Sequence, residues 1–418
     1  MNFISSNKII YSSIIVLCIF LSFSYAPFQV SLDSGLVLSK IIEYPDPISP
    51  MKYYYYNSWT IINQFSEILL RLGFSVSNAS RLILFLSSLF FALSAFIITF
   101  KITSKKFLAL VISFLMLILQ KNFGDTDYPS LIISNHTYGM ISLAISSLIF
   151  SLILNGSIKS AGFFSTLLVS VHPVIGIWVL FLIFTSLMLD NDKKTKFDFI
   201  KGGVLGLLLT IISLIVFLIN HIGTVGYSLE NIKSYMLNWD GHRNKAGIIH
   251  YEYLFKTLVL LVFANIYFYF IDKNIKLFKN FFNISIIFST LLYLLFKFVP
   301  QLFPDIITRA VPTRFLLLHS FIGWPLILSI VYLIFSSLRK TKKFAMSLLS
   351  LIILFYSIQH YKNFQRLNNG FNKNFINEKK DINNEFFIDF SNSKTVGYFI
   401  TTSKTRRFIH TMSLKLLI

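Results

Sequence analysis

Acidic residues are scarce in this chain, 18 Asp and Glu against 38 Lys and Arg in 418 residues, and charged residues of both signs make up only 13%. With 55% apolar residues and a mean hydropathy of +0.67, the chain carries more apolar surface than a water-soluble protein of this length hides in its core. The single cysteine, Cys18, excludes a disulfide framework and a cysteine metal site. The sequence has no Walker motif, dinucleotide fingerprint, nucleophile elbow or haem motif, so nothing in it supports ATP-driven transport or soluble-cofactor chemistry. The apolar runs are almost free of charge and show no internal repeat, which weighs against a secondary transporter.

What is present is a series of apolar runs near 9–26, 81–100, 107–119, 138–154, 161–189, 202–220, 253–271, 281–299, 315–335 and 344–359. The first ends in "SFSYAPFQ", without a small-x-small cleavage pair, and reads as a retained span rather than a removed signal. The net charge of +20 comes from lysines that flank these runs, so the positive-inside rule explains it better than nucleic-acid binding does. Clusters at Lys101, Lys105 and Lys106, at Lys193 to Lys201, at Lys273 to Lys279 and at Arg339 to Lys343 are expected to be cytoplasmic. This places the N-terminus inside and the tail outside.

With Lys159 before it and a lysine cluster after it, the long run 161–189 must start and finish on one side. Pro173 lacks an N–H, and the backbone before a proline is pushed out of helix. The chain is therefore expected to turn at His172-Pro173 and return as a hairpin, a short re-entrant helix followed by a longer one. One long kinked helix is the alternative.

Under this topology the outer loops are 27–80, 120–137, 221–252 and 300–314. In the first, "NSWTIINQFSEILLRLG" places Ile61, Ile62, Phe65, Ile68, Leu69 and Leu72 on one helical face and Asn63, Gln64, Glu67 and Arg71 on the other. Asn57 or Ser58 is expected to cap its start and Gly73 its end. Such an amphipathic helix, with Trp59 and the tyrosines Tyr53 to Tyr56 at one end, suits the membrane interface. Ser228 to Trp239 reads as a second. The chain divides into a membrane bundle, 1–359, and an outer tail, 360–418, where "EFFIDF", "VGYFITT" and "RRFIHTMSLKLLI" read as short strands.

Several outer residues are able to carry chemistry. Asp33, shortly after the first span, suits a general base acting on an acceptor hydroxyl, and equally an N-cap. Asp125 and Asp127 in "GDTDYPS" are spaced to face one hard cation, Mg²⁺ or Mn²⁺, or to form a solvated acidic turn. His136 and His172 both fall near the outer end, as phosphate or metal contacts or as hydrogen-bonded structural residues. His242 and Arg243 in "NWDGHRNKAGIIHYE" match no zinc spacing and suit an anionic headgroup or pyrophosphate. Arg309 and Arg314 depart from the positive-inside pattern, as a ligand phosphate or snorkelling to lipid would explain.

The arrangement of Asp33 after the first span, an interfacial helix at 57–73, acids at 125 and 127 and an outer C-terminal region resembles the GT-C class of integral-membrane glycosyltransferases. That resemblance implies an all-α polytopic bundle of about nine spans and transfer of a sugar from a polyprenyl-phosphate donor at the outer face. It implies Asp33 as catalytic base, Asp125 and Asp127 as metal ligands, and Arg309 or Arg314 at the donor phosphate. The expected partners are the lipid-linked sugar and membrane lipids, with no nucleic acid, in a bacterial inner membrane. An O-antigen ligase or polymerase, or a glycolipid flippase without chemistry, are the alternatives.

Overall fold

The structure is a computed structural model and describes residues 2–24, 32–41, 55–119, 123, 138–221, 251–270, 275–299, 315, 317–337 and 361–371. The helices among the described residues are α1 (Asn2–Ser24), α2 (Asp33–Leu38), α3 (Ile61–Arg71), α4 (Val76–Thr103), α5 (Lys106–Leu119), α6 (Tyr138–Asn155), α7 (Ile158–Val171), α8 (Pro173–Met188), α9 (Lys193–Asn220), α10 (Tyr251–Phe270), α11 (Lys276–Phe298), α12 (Leu317–Ser337) and α13 (Tyr361–Phe371). No strand occurs among the described residues. Among the described residues five stretches, Val76–Thr103, Lys193–Asn220, Tyr251–Tyr269, Lys276–Phe298 and Leu318–Ser336, are long and apolar enough to cross a membrane. The fold is consistent with an all-α membrane protein. The expected C-terminal strands, the second interfacial helix at 228–239 and the run 344–359 lie outside the described residues.

Backbone polar groups cannot go unpaired in hydrocarbon, and serine hydroxyls face the same demand. The buried serines of α6 meet it by donating back to carbonyls three or four residues earlier on their own helix, as Ser142, Ser146, Ser147 and Ser151 do. This frees their small side chains to allow close helix approach. Ser94 of α4 also crosses to the Ser147 carbonyl at 2.7 Å, and Ser113 of α5 reaches the Ala92 carbonyl at 3.2 Å. Around these contacts lies an aromatic core: Phe150 of α6 sits 4.3 Å from Phe281 of α11, and Phe91 of α4 meets Phe321 of α12 edge-on at 5.9 Å. Asn265 of α10 and Asn283 of α11 exchange two amide hydrogen bonds of 3.0 Å each.

The turn at His172-Pro173 is present. His172 has φ −152° and ψ 96°, ending α7, and Pro173 opens α8 where its missing N–H is no loss. A Cβ built on Gly176 would lie 2.5 Å from Val169 Cα. Residues seven apart in one straight helix are about 10 Å apart. The chain therefore doubles back.

Helix α9 then runs alongside α7. Gly202 packs against the Lys159 carbonyl and Gly206 against the Phe163 carbonyl, while Thr210 donates to the Thr166 carbonyl at 2.9 Å and Thr166 to the Gly203 carbonyl at 2.9 Å. Small residues at four-residue spacing let the two backbones touch. At one end of this pair Lys159 faces Asp198 at 3.6 Å, beside the lysines of the α9 start. The opposite end carries α2 and α3.

Helix α13 docks on α1, with Gly370 against the Ser24 carbonyl, so the first part of the tail is helical and attached to the bundle.

Candidate functional site

Helix α3 starts at Thr60, whose hydroxyl accepts the Ile62 N–H at 3.3 Å. The expected caps Asn57 and Ser58 fall too early, because Thr60 also donates to the Val171 carbonyl at 2.8 Å and so fixes the helix start against the hairpin turn. The end is as expected: Gly73 takes φ +87°, and the Gly73 and Phe74 N–H groups reach back to the Leu70 and Leu69 carbonyls.

The polar face of α3 turns toward the protein. Asn63 and Ser66 are buried, Gly35 of α2 packs directly on Ser66, and Asn63 donates to the Ser58 carbonyl at 3.0 Å. Part of the apolar stripe faces away: Ile68, Leu72 and Phe74 are 53%, 71% and 43% exposed. The buried side of α3 also carries Leu69 and Leu70, so the helix has a mixed inner face and an exposed apolar edge.

The site beside it is a small cleft, with enclosed space for about one water, between α3, the end of α2 at Leu38, residues 55–58 and the end of α9 at Phe217 and Asn220. Two hydrogen-bond clusters fix its walls. On the α9 side, Ser213 donates to Gln64 Oε1 at 2.6 Å, Gln64 Nε2 donates to the Ser213 carbonyl at 2.7 Å, and Trp59 Nε1 donates to Ser213 Oγ at 3.1 Å. On the α2 side, Arg71 pairs with Glu67 at 2.8 Å and donates to the Leu38 carbonyl at 3.1 Å. Burial pushes the Glu67 carboxyl above its usual range, and the Arg71 guanidinium opposes that rise.

The residues expected from sequence fare unevenly. Asp33 is the first residue of α2, after Leu32 in the capping position, so it is not the N-cap of that helix. It lies at the opposite end of α2 from the cleft. His172 sits at the hairpin turn, where its Nδ1 accepts the Ile175 N–H at 3.4 Å as the N-cap of α8. Asp125, Asp127, His136, His242, Arg243, Arg309 and Arg314 lie outside the described residues. Among the described residues no group of three His, Cys, Asp or Glu is placed to hold a metal. His319 of α12 is fully enclosed, and neither ring nitrogen has a hydrogen-bond partner.

Glu67 was visible in sequence only as one of four residues on a polar face. The signal that marks it is a carboxylate and an amide, Glu67 and Gln64, spaced three apart on one face of an amphipathic helix.

Comparison with family models, with curated proteins and with solved structures found no match to this chain. The functional reading therefore rests on the site.

Proposed function

We propose that this chain is an integral-membrane glycosyltransferase of the GT-C kind, taking a sugar from a polyprenyl-phosphate donor and passing it to an acceptor at the outer face. The observation that carries the reading is the two-sided helix α3, with exposed Ile68, Leu72 and Phe74 on one side and the cleft with Glu67 and Gln64 on the other. A site next to lipid suits a substrate whose tail stays in the bilayer while its polar head is handled by protein. The lysine-rich ends of α7 and α9 lie opposite the cleft, and the positive-inside rule makes the cleft end the outer one. In a bacterial cell this would be the periplasmic face of the inner membrane.

In this reading Asp33 removes the proton of the acceptor hydroxyl, Asp125 and Asp127 hold Mg²⁺ or Mn²⁺, and Arg309 or Arg314 takes the donor phosphate. His136, His242 and Arg243 contact the substrates from neighbouring outer loops. A full-length bundle of about nine spans with a re-entrant hairpin follows from the same resemblance.

The test is transfer of labelled sugar by reconstituted protein from a panel of polyprenyl-phosphate sugars, with and without Mg²⁺ or Mn²⁺. Transfer that is lost in Asp33→Asn is the expected result. Absence of transfer with every donor, while labelled glycolipid still crosses the bilayer, would replace the transferase with a flippase.

A further inference from the structure

We infer that the corner formed by the start of α1, the end of α4 and the start of α5 is a binding site for an anionic phospholipid, with Lys8, Lys101 and Lys105 around its headgroup and its acyl chains along the exposed side of α1. The corner lies at the far end of α4 from α3 and is independent of the transferase reading.

Two ring contacts bring the cations together. Arg81 of α4 lies over the Phe23 ring at 4.6 Å, and Phe96 of α4 lies 6.3 Å from Tyr11, so α1 and α4 run antiparallel. Lys8 is three residues beyond Tyr11, and Lys101 is five beyond Phe96 in the same direction. At about 1.5 Å per residue, their levels along the pair differ by only about 3 Å. Ser104 then takes φ +55° and turns the chain straight into α5, which leaves Lys105 and Lys106 at the same end.

The charge there is of one sign. The first acid of the chain is Asp33 and none falls between Glu67 and Asp125, so α1, α4 and α5 contribute no carboxylate. Lys8, Lys101 and Lys105 are exposed, and among the described residues their amines form no ion pair or hydrogen bond. Like charges gathered at one level repel, and an anion relieves that repulsion. At the start of α9, by contrast, acids are interspersed among the lysines: Asp198 faces Lys159 at 3.6 Å, and Asp192 caps the helix. Both places satisfy the positive-inside rule; of the two, the α1–α4–α5 corner is the one without an acid.

Apolar surface beside the amines decides the class of ligand. Ile9, Ile15, Val16 and Ile19 stay exposed along α1 from Lys8 onward, and Phe107 is exposed next to Lys106. A free phosphate would use the amines and leave that surface bare. A zwitterionic headgroup brings a cation of its own to a place already positive. A lipid of net negative charge matches both, and each lysine near its headgroup adds about five-fold to binding.

The experiment titrates the full chain in non-ionic detergent with phosphatidylglycerol, or with phosphatidylcholine of the same acyl chains, and counts bound lipid by native mass spectrometry. In parallel, phosphatidylglycerol with a diazirine in one acyl chain is photolysed on the unaltered protein in nanodiscs, and the crosslinked peptides are mapped. One variant combines Lys8→Gln, Lys101→Gln and Lys105→Gln. Its control combines Lys193→Gln, Lys194→Gln and Lys196→Gln, which removes the same charge from the start of α9.

Phosphatidylglycerol should bind at least ten-fold more tightly than phosphatidylcholine and crosslink to α1 between Ile9 and Ile19. The first variant should lose at least ten-fold of that binding and the control less than two-fold. If the first variant fails to fold, lipid preference and crosslink position on the unaltered protein decide. Equal binding of the two lipids overturns the site and leaves the corner to an acidic protein partner. Equal loss in the two variants, or crosslinks spread over the whole bundle, reduces it to the general field of the lysines and overturns it as well.

Discussion

Replacing Gly206 by alanine tests the claim that α9 is held by backbone contact with α7. A Cβ at Gly206 would lie 2.2 Å from the Phe163 carbonyl oxygen and 2.3 Å from Thr166 Oγ1, where contacts under 3.0 Å essentially never occur. The first obstacle is helix backbone, so the two helices must part by about 1 Å in an interior that is close-packed. Overpacking of this kind costs about 1–3 kcal/mol, and parting also strains the Thr210 and Thr166 interhelical bonds.

Gly203 supplies the matched control three residues away on the same helix. There the nearest atom to a Cβ is Thr166 Cγ2 at 3.5 Å, an ordinary contact. Alanine at that site gains up to about 1 kcal/mol from helix propensity alone. The propensity gain is common to both variants, which have identical composition, so they should differ by the overpacking cost, about 1–3 kcal/mol. At ~2–4 °C per kcal/mol, their unfolding midpoints in detergent should stand about 2–12 °C apart, with Gly206→Ala the lower. Because Ser213, Phe217 and Asn220 lie further along α9, Gly206→Ala should also change the fluorescence of Trp59, which donates to Ser213. Equal midpoints for the two variants would refute the close-contact seam.

Three further outcomes are expected. A double-mutant cycle with Asn265→Leu and Asn283→Leu should give a coupling of about 0.6 kcal/mol, at most about 1.7, in detergent unfolding, and no coupling would mean the amides do not pair. His172→Ala should cost about 0.5 kcal/mol, the low end for a lost N-cap because its bond is long, and His172→Asn should recover part of that in the same assay. For Glu67, the folded carboxyl has its pKa raised above the unfolded value, so its contribution is greatest below the ordinary glutamate range and is lost as pH rises through the folded value. Melting curves compared with Glu67→Gln should therefore show the unaltered protein losing ground as pH rises, and the opposite slope would contradict the burial argument.

The parts of this protein that follow from periodicity and from residues with one physical meaning were legible in its sequence. The apolar runs became α4, α9, α10, α11 and α12, since spans of that length have no other soluble or membrane solution. Pro173, between two lysine clusters, was enough to place the hairpin turn, because a missing N–H and one-sided charge constrain the backbone wherever it lies. Gly73 likewise marked the end of α3 through a conformation that few other residues accept.

Partners were another matter. Amphipathicity gave α3 two faces, but next to a bilayer the apolar face is as well suited to lipid as to protein, so only packing of Gly35 on Ser66 and of Gln64 on Ser213 turned the polar face inward. The same holds for the glycines of α9, which in sequence are merely permissive and become a contact surface once α7 lies alongside. Asp33 drew attention as a lone acid after a span, whereas Glu67 was one of four residues on the polar face of a helix. Tertiary structure brought Glu67 to the cleft, because burial and hydrogen-bond partners depend on which segments meet across distances of more than a hundred residues, and local sequence carries no record of that meeting.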